Sequence, residues 1–193
     1  MIYTTYNLAV KHNACERALE AWVKHVGGIE KLDVDTQIPL TDILDVLGIS
    51  DCLWALRTIQ DQEVADIIAT KFLIAVADRE LSYFESKYPE DKRPCRAIEA
   101  LRAYFLNPSN KTAHAVDDAY RATLGANLSV DDRDIIWGAA RRRWLGHGAG
   151  CGSRARAASY DRWAANSALG GRALSEAELK WQTAKLKESL EEA

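Results

Sequence analysis

The stretch Glu63 to Phe105, EVADIIATKFLIAVADRELSYFESKYPEDKRPCRAIEALRAYF, restricts the fold more than any other part of the chain. Its first half, to Glu85, is helix-like and apolar almost all round near the middle, with Val64, Ile67, Ile68, Phe72, Leu73, Ile74 and Val76. A helix that is apolar on every side is normally a buried one. Tyr88-Pro89 and Arg93-Pro94 then interrupt the pattern. Proline lacks an N–H and restricts the residue before it, so these pairs end the first helix and start a second. The pattern predicts a central helical hairpin over about 62–106, with the other helices around it.

The flanking sequence reads as further helices. Cys15, Ala18, Leu19, Trp22 and Val26 fall at helical spacing, and Gly27-Gly28 closes that helix. Residues 1–8 favour extended backbone through Ile2, Tyr3, Thr4, Thr5 and Tyr6, but a single strand has no evident partner, so an irregular lead-in is expected. Thr41 is a candidate cap for a short helix ending at Gly48, and Ser50 or Asp51 for the next. Ala97, Ile98, Leu101, Tyr104 and Phe105 line the hairpin's second helix, which stops at Asn107-Pro108. Ser109 or Asn110 starts another, and Ser129 with Asp132 resembles a capping box for the one after it. The segment 146–153, GHGAGCGS, holds four glycines in eight residues and is expected to be the most flexible. Ser175 with Glu178 is a capping box for a last helix carrying Leu179, Leu186 and Leu190. The expected class is therefore all-α, a single multi-helix domain over 1–193 with little or no β structure.

Composition narrows the function classes. Hydrophobic residues make up 48% of the 193, enough for a substantial core. The net charge of -3 argues against a protein built for nucleic acid, which usually carries a basic excess. No apolar run reaches the length of a membrane span, and MIYTTYNLAVKHNAC lacks the features of a secretory signal, so a cytoplasmic protein is expected. Cys15, Cys52, Cys95 and Cys151 contain no C-x-x-C pair and read as buried, reduced thiols rather than zinc ligands.

Candidate chemistry is sparse. His12, His25, His114 and His147 form no metal-binding pair, and no nucleophile elbow is present. The expectation is a non-enzyme without cofactor or metal. Arg79 falls on the stripe of Val64, Ile68, Phe72 and Val76. A charge there needs a partner or must extend its head to water, and either arrangement is favoured over a cleft site. The strongest candidate surface is Arg141, Arg142, Arg143, Trp144, Arg154 and Arg156, since arginine and tryptophan anchor protein interfaces. The simplest competing reading is that three arginines complement a helix C-terminus.

Four stretches, HNACERALEAWV, LTDILDVLGISDCLWAL, AVADRELSYFESKYPEDKRPCRAIEALRAYF and ALSEAELKWQTAKLKESL, together resemble the Imm-5-like immunity proteins of bacteria and of phage and prophage genomes. The centre carries the resemblance: Asp78-Arg79, Phe84-Glu85, Tyr88-Pro89, Glu90-Asp91, Arg93-Pro94 and Ala97 to Ala100 with Glu99. The chain departs from the family pattern over roughly 126–168, where Arg141 to Arg143 and the glycine segment interrupt an alanine-rich tract. The resemblance implies a helical protein that binds and neutralises another protein, a cognate toxin or, if phage-encoded, a host defence protein. Asp78, Arg79, Tyr88, Arg93, Pro94 and Glu99 are then expected to be structural. Nucleic-acid binding through the Arg141–Arg156 segment and an enzyme or metalloprotein without a recognisable motif remain the alternatives, and a homodimer through the last helix stays open.

Overall fold

Residues 2–107, 109–124 and 176–193 are described by the structure, a computed structural model, and they form an all-α fold with one two-stranded ladder. The ladder, β1 (Tyr3–Thr4) and β2 (Ile38–Pro39), is antiparallel and pairs Tyr3 with Pro39 and Thr4 with Ile38. It corrects the expectation of a strand without a partner; the partner lies in a segment read as loop. Helix α1 (Tyr6–Lys11) follows directly, capped by Thr5, whose Oγ1 accepts the Leu8 N–H at 3.1 Å. Its run of β-branched and aromatic neighbours masked it in the sequence.

Helix α1 and helix α2 (Glu16–Val26) end in the same way. The Ala14 N–H reaches the Ala9 carbonyl and the Asn13 N–H reaches Val10, both at 2.9 Å, with Asn13 left-handed at φ 61°. At the end of α2 the Gly28 N–H reaches Val23 at 3.0 Å and the Gly27 N–H reaches Lys24 at 3.2 Å, with Gly27 at φ 91°. These are paired Schellman bonds, which satisfy the last carbonyls of a helix through a left-handed residue.

Helices α3 (Leu40–Leu47) and α4 (Ile49–Ala55) are joined by Gly48 alone, at φ 86°. Pro39, not Thr41, stands at the N-cap of α3, and Gly48, not Ser50 or Asp51, at that of α4; neither helix has a side-chain cap. The elements follow one another too closely for a capping residue to precede either start.

The hairpin is present as expected. Helix α5 spans Gln62–Lys87 and α6 spans Arg93–Leu106. Asp61 caps α5, its Oδ1 accepting the Glu63 and Val64 N–H groups at 3.1 Å each. Helix α7 (Asn110–Leu124) is capped by Ser109 in a reciprocal pair. The Thr112 N–H donates to Ser109 Oγ at 3.2 Å, and the Ser109 N–H to Thr112 Oγ1 at 3.0 Å. The last helix, α8 (Glu176–Glu191), packs on α5, α3 and α4.

The core is centred one step earlier than the sequence suggests. Leu40, Leu44, Ile49, Leu53 and Leu56 are almost fully buried and meet Ile68 and Phe72 from the first half of α5. Leu186 and Leu190 of α8 close the same cluster, which commits that helix's apolar face to the chain itself. Leu179, expected to pack, is 41% exposed because it lies a turn and more before this contact. The second half of α5 carries a separate, smaller group, Ala77 and Ile98 with Leu81. At about 1.5 Å per residue, α5 is about 39 Å long, and it links the two groups.

Candidate functional site

Arg141, Arg142, Arg143, Trp144, Arg154 and Arg156 lie outside the described residues, as do His147, Cys151 and the 146–153 segment. Asp78, Arg79, Tyr88, Arg93, Pro94 and Glu99 lie within the described residues.

Consecutive positions on a helix point about 100° apart, because a turn takes 3.6 residues. Asp78 and Arg79 therefore reach in different directions from α5. The Asp78 carboxylate accepts from the Arg102 guanidinium on α6. Arg79 Nε donates to Glu178 Oε2 on α8 at 2.7 Å, and its guanidinium lies 4.4 Å from the Trp181 ring centre. Glu178 also accepts Gln182 Nε2 at 3.2 Å, so the carboxylate is held from both sides. The Arg79 side chain is 48% exposed, placing its head at the margin of the apolar stripe rather than within it. Exposed pairs of this kind contribute about 0–1 kcal/mol each, with a similar cation–π increment of about 0.5–1 kcal/mol for Arg79 on Trp181.

The joint between α5 and α6 is built by the rest of the motif. Tyr88 packs on Phe84 with ring centres 5.0 Å apart, and the Asp91 N–H closes a turn onto the Tyr88 carbonyl at 3.1 Å. Asp91 Oδ1 accepts the Arg93 N–H at 3.1 Å and Arg93 Nε at 2.8 Å, while Oδ2 accepts a terminal guanidinium nitrogen at 2.5 Å. The Arg93 hydrogen bonds hold the Asp91 carboxyl below its ordinary range and raise the guanidinium in turn. Pro94 is buried in the first turn of α6, where a missing N–H has no consequence. Glu99 is exposed and accepts the Cys95 thiol at 3.6 Å.

Two concavities lie away from this clamp, both around α1. One is a cavity of about 150 Å³ between the α1–α2 pair and the α3–α4 pair, walled by Trp22, Trp54, Ala9 and Ala18, with Cys15 and Asp51 among its lining residues. Arg17 donates to Asp51 Oδ2 at 2.6 Å. The buried Thr4 hydroxyl meets that of Thr58 at 2.6 Å, tying β1 to the turn that follows α4. The other is a broad hollow beside Lys11, His12, Arg57 and Gln62. Gln62 Nε2 donates to the Ile59 carbonyl at 2.6 Å, which fixes the amide orientation and leaves its buried Oε1 without a hydrogen-bond partner.

The thiols divide by environment. Cys52 is fully buried and donates to the Leu40 carbonyl at 3.4 Å, and burial pushes its pKa far up. Cys15 is exposed and Cys95 half-buried, which corrects the expectation that the cysteines are interior. Among the described residues no group of three or more His, Cys, Asp or Glu side chains is placed to hold a metal ion. No helix among them is long and apolar enough to cross a membrane.

Sequence reading missed Arg102, Glu178 and Trp181 as clamp partners, and all of the α1 cavity. Glu178 carried a signal only as the capping-box partner of Ser175, which lies outside the described residues. Comparison of the chain with family models, curated proteins and solved structures finds no match.

Proposed function

We propose that the chain is a non-enzymatic helical protein of the cytoplasm that neutralises a protein partner by stoichiometric binding, as its resemblance to Imm-5-like immunity proteins implies. The partner is a cognate toxin or, for a phage-borne gene, a host defence protein. One observation supports this reading: the two central charges, Asp78 and Arg79, are each paired within the chain. Asp78 ties α5 to α6 and Arg79 ties α5 to α8, across 24 and 99 residues of sequence. Charges used in this way fix the relative placement of helices, and a prearranged surface loses less entropy on binding than one ordered by its partner. Recognition is then left to side chains outside the clamp. Arg141, Arg142, Arg143, Trp144, Arg154 and Arg156 are the proposed contacts, suited to an acidic partner.

The test is affinity capture from the native host with the wild type and with the Arg141, Arg142, Arg143→Glu variant. The captured protein is then purified and titrated. One protein that forms an equimolar complex with the wild type and not with the variant is the expected result. Equal capture by both removes the arginine surface. Nuclease-sensitive recovery of nucleic acid, with affinity falling steeply as salt rises, replaces the reading with the nucleic-acid one.

A further inference from the structure

We propose that the cavity between the α1–α2 pair and the α3–α4 pair is a binding site for a small aromatic molecule bearing an N–H donor, such as an indole or an arylamine. The site is independent of the protein-binding reading. Its volume, about 150 Å³, matches its proposed occupant: an engineered apolar cavity of about that size in another protein takes up benzene. Its walls carry two indole rings, Trp22 and Trp54, and aromatic rings prefer offset or edge-to-face packing against one another. Room for the ligand comes from Ala9 and Ala18, small residues where the neighbouring helical positions hold Leu19 and Trp22.

The lining is apolar except at a few points, and one of them is charged. Asp51 has a side chain only 15% exposed and gives one oxygen to Arg17 at 2.6 Å. A carboxylate accepts about four hydrogen bonds, so its second oxygen can take a donor from within the cavity. A ligand with an acceptor there would instead face a negative oxygen. This selects an N–H donor over an ether or carbonyl at that position. Cys15 lines the same cavity and is exposed, which puts a reactive reporter at the mouth.

The experiment uses the full chain, with indole as ligand and benzofuran as the isosteric probe that lacks the donor. Calorimetry is expected to give saturable indole binding about tenfold tighter than benzofuran, the scale of one hydrogen bond to a charged group. Indole is also expected to slow alkylation of Cys15 by iodoacetamide several-fold while leaving Cys95 unchanged, as read by peptide mass spectrometry. Ala18→Leu fills the cavity and is expected to weaken indole at least tenfold and raise the melting temperature; Ala9→Leu, on α1 rather than α2, serves if Ala18→Leu fails to fold. Absence of saturable indole binding, or unchanged binding in the filled variants, overturns the site. Equal affinity for indole and benzofuran overturns the role of Asp51 and the ligand class with it.

Discussion

Cys52 shows how far a single position's behaviour follows from its surroundings. The thiol is enclosed between α3 and α4 and bonded to a backbone carbonyl. Burial favours the neutral form, so its folded pKa is raised above the ordinary value near 9. The unfolded chain therefore loses this proton first as pH rises. The associated stability is complete below about pH 9 and is lost progressively above it. Cys52→Ala is expected to flatten the alkaline fall of unfolding free energy relative to the wild type, measured by urea titration between about pH 8 and 10.5. In the native protein Cys15 is expected to react with iodoacetamide and Cys52 to resist it. Gly27 makes a second prediction at this scale. A Cβ there would meet only the flexible end of Lys31, at 3.2 Å from Nζ, so space is not the obstacle. The left-handed backbone at φ 91° is, and Gly27→Ala is expected to destabilise by about 1–2 kcal/mol in denaturant titration. This requirement was readable from Gly27-Gly28 in the sequence. The matching left-handed Asn13 was not, because α1 itself was hidden.

At the scale of elements, the α5–α6 hairpin was legible because its signals are local: an all-round apolar run, two prolines and an i, i+3/i+4 pattern. Strand β1 was half legible. Its residues favour extension, but its partner is a two-residue segment ending in Pro39, which no periodicity marks. The clamp was legible on one side only. A helical wheel puts Arg79 on the apolar stripe, where it needs a partner or an exposed head, yet nothing local names Glu178, 99 residues away. The cavity was not legible at all, since it exists only where α1, α2, α3 and α4 meet. A double-mutant cycle on Arg79→Gln and Glu178→Gln is expected to give a coupling below about 1 kcal/mol, as for exposed ion pairs. Arg79→Ala alone should cost more than that coupling, because it also removes the stacking on Trp181.

At the scale of the whole molecule, α8 ties the last described segment to α3, α4 and α5. Leu186 is fully buried and Leu190 nearly so, both in the cluster formed by α3, α4 and the first half of α5. Leu186→Ala is expected to lower stability by about 2–5 kcal/mol, the range for large-to-small changes in a packed core, with the urea midpoint as the readout. Periodicity identified Leu186 and Leu190 as apolar positions, but an apolar helix face can pack on its own chain or on a second copy. In the structure Leu186 and Leu190 pack on their own chain. The central claim, that the Asp78–Arg79 clamp builds the frame and that recognition lies outside it, separates stability from affinity. The measurement that tests it most directly is calorimetry against the captured partner, with melting temperatures recorded alongside. The variants are Asp78→Asn, Arg79→Gln and Arg141, Arg142, Arg143→Glu. The account predicts that the clamp variants melt earlier and bind with unchanged affinity, while the triple arginine variant melts like the wild type and loses binding. A clamp variant that stays folded and loses affinity would contradict it.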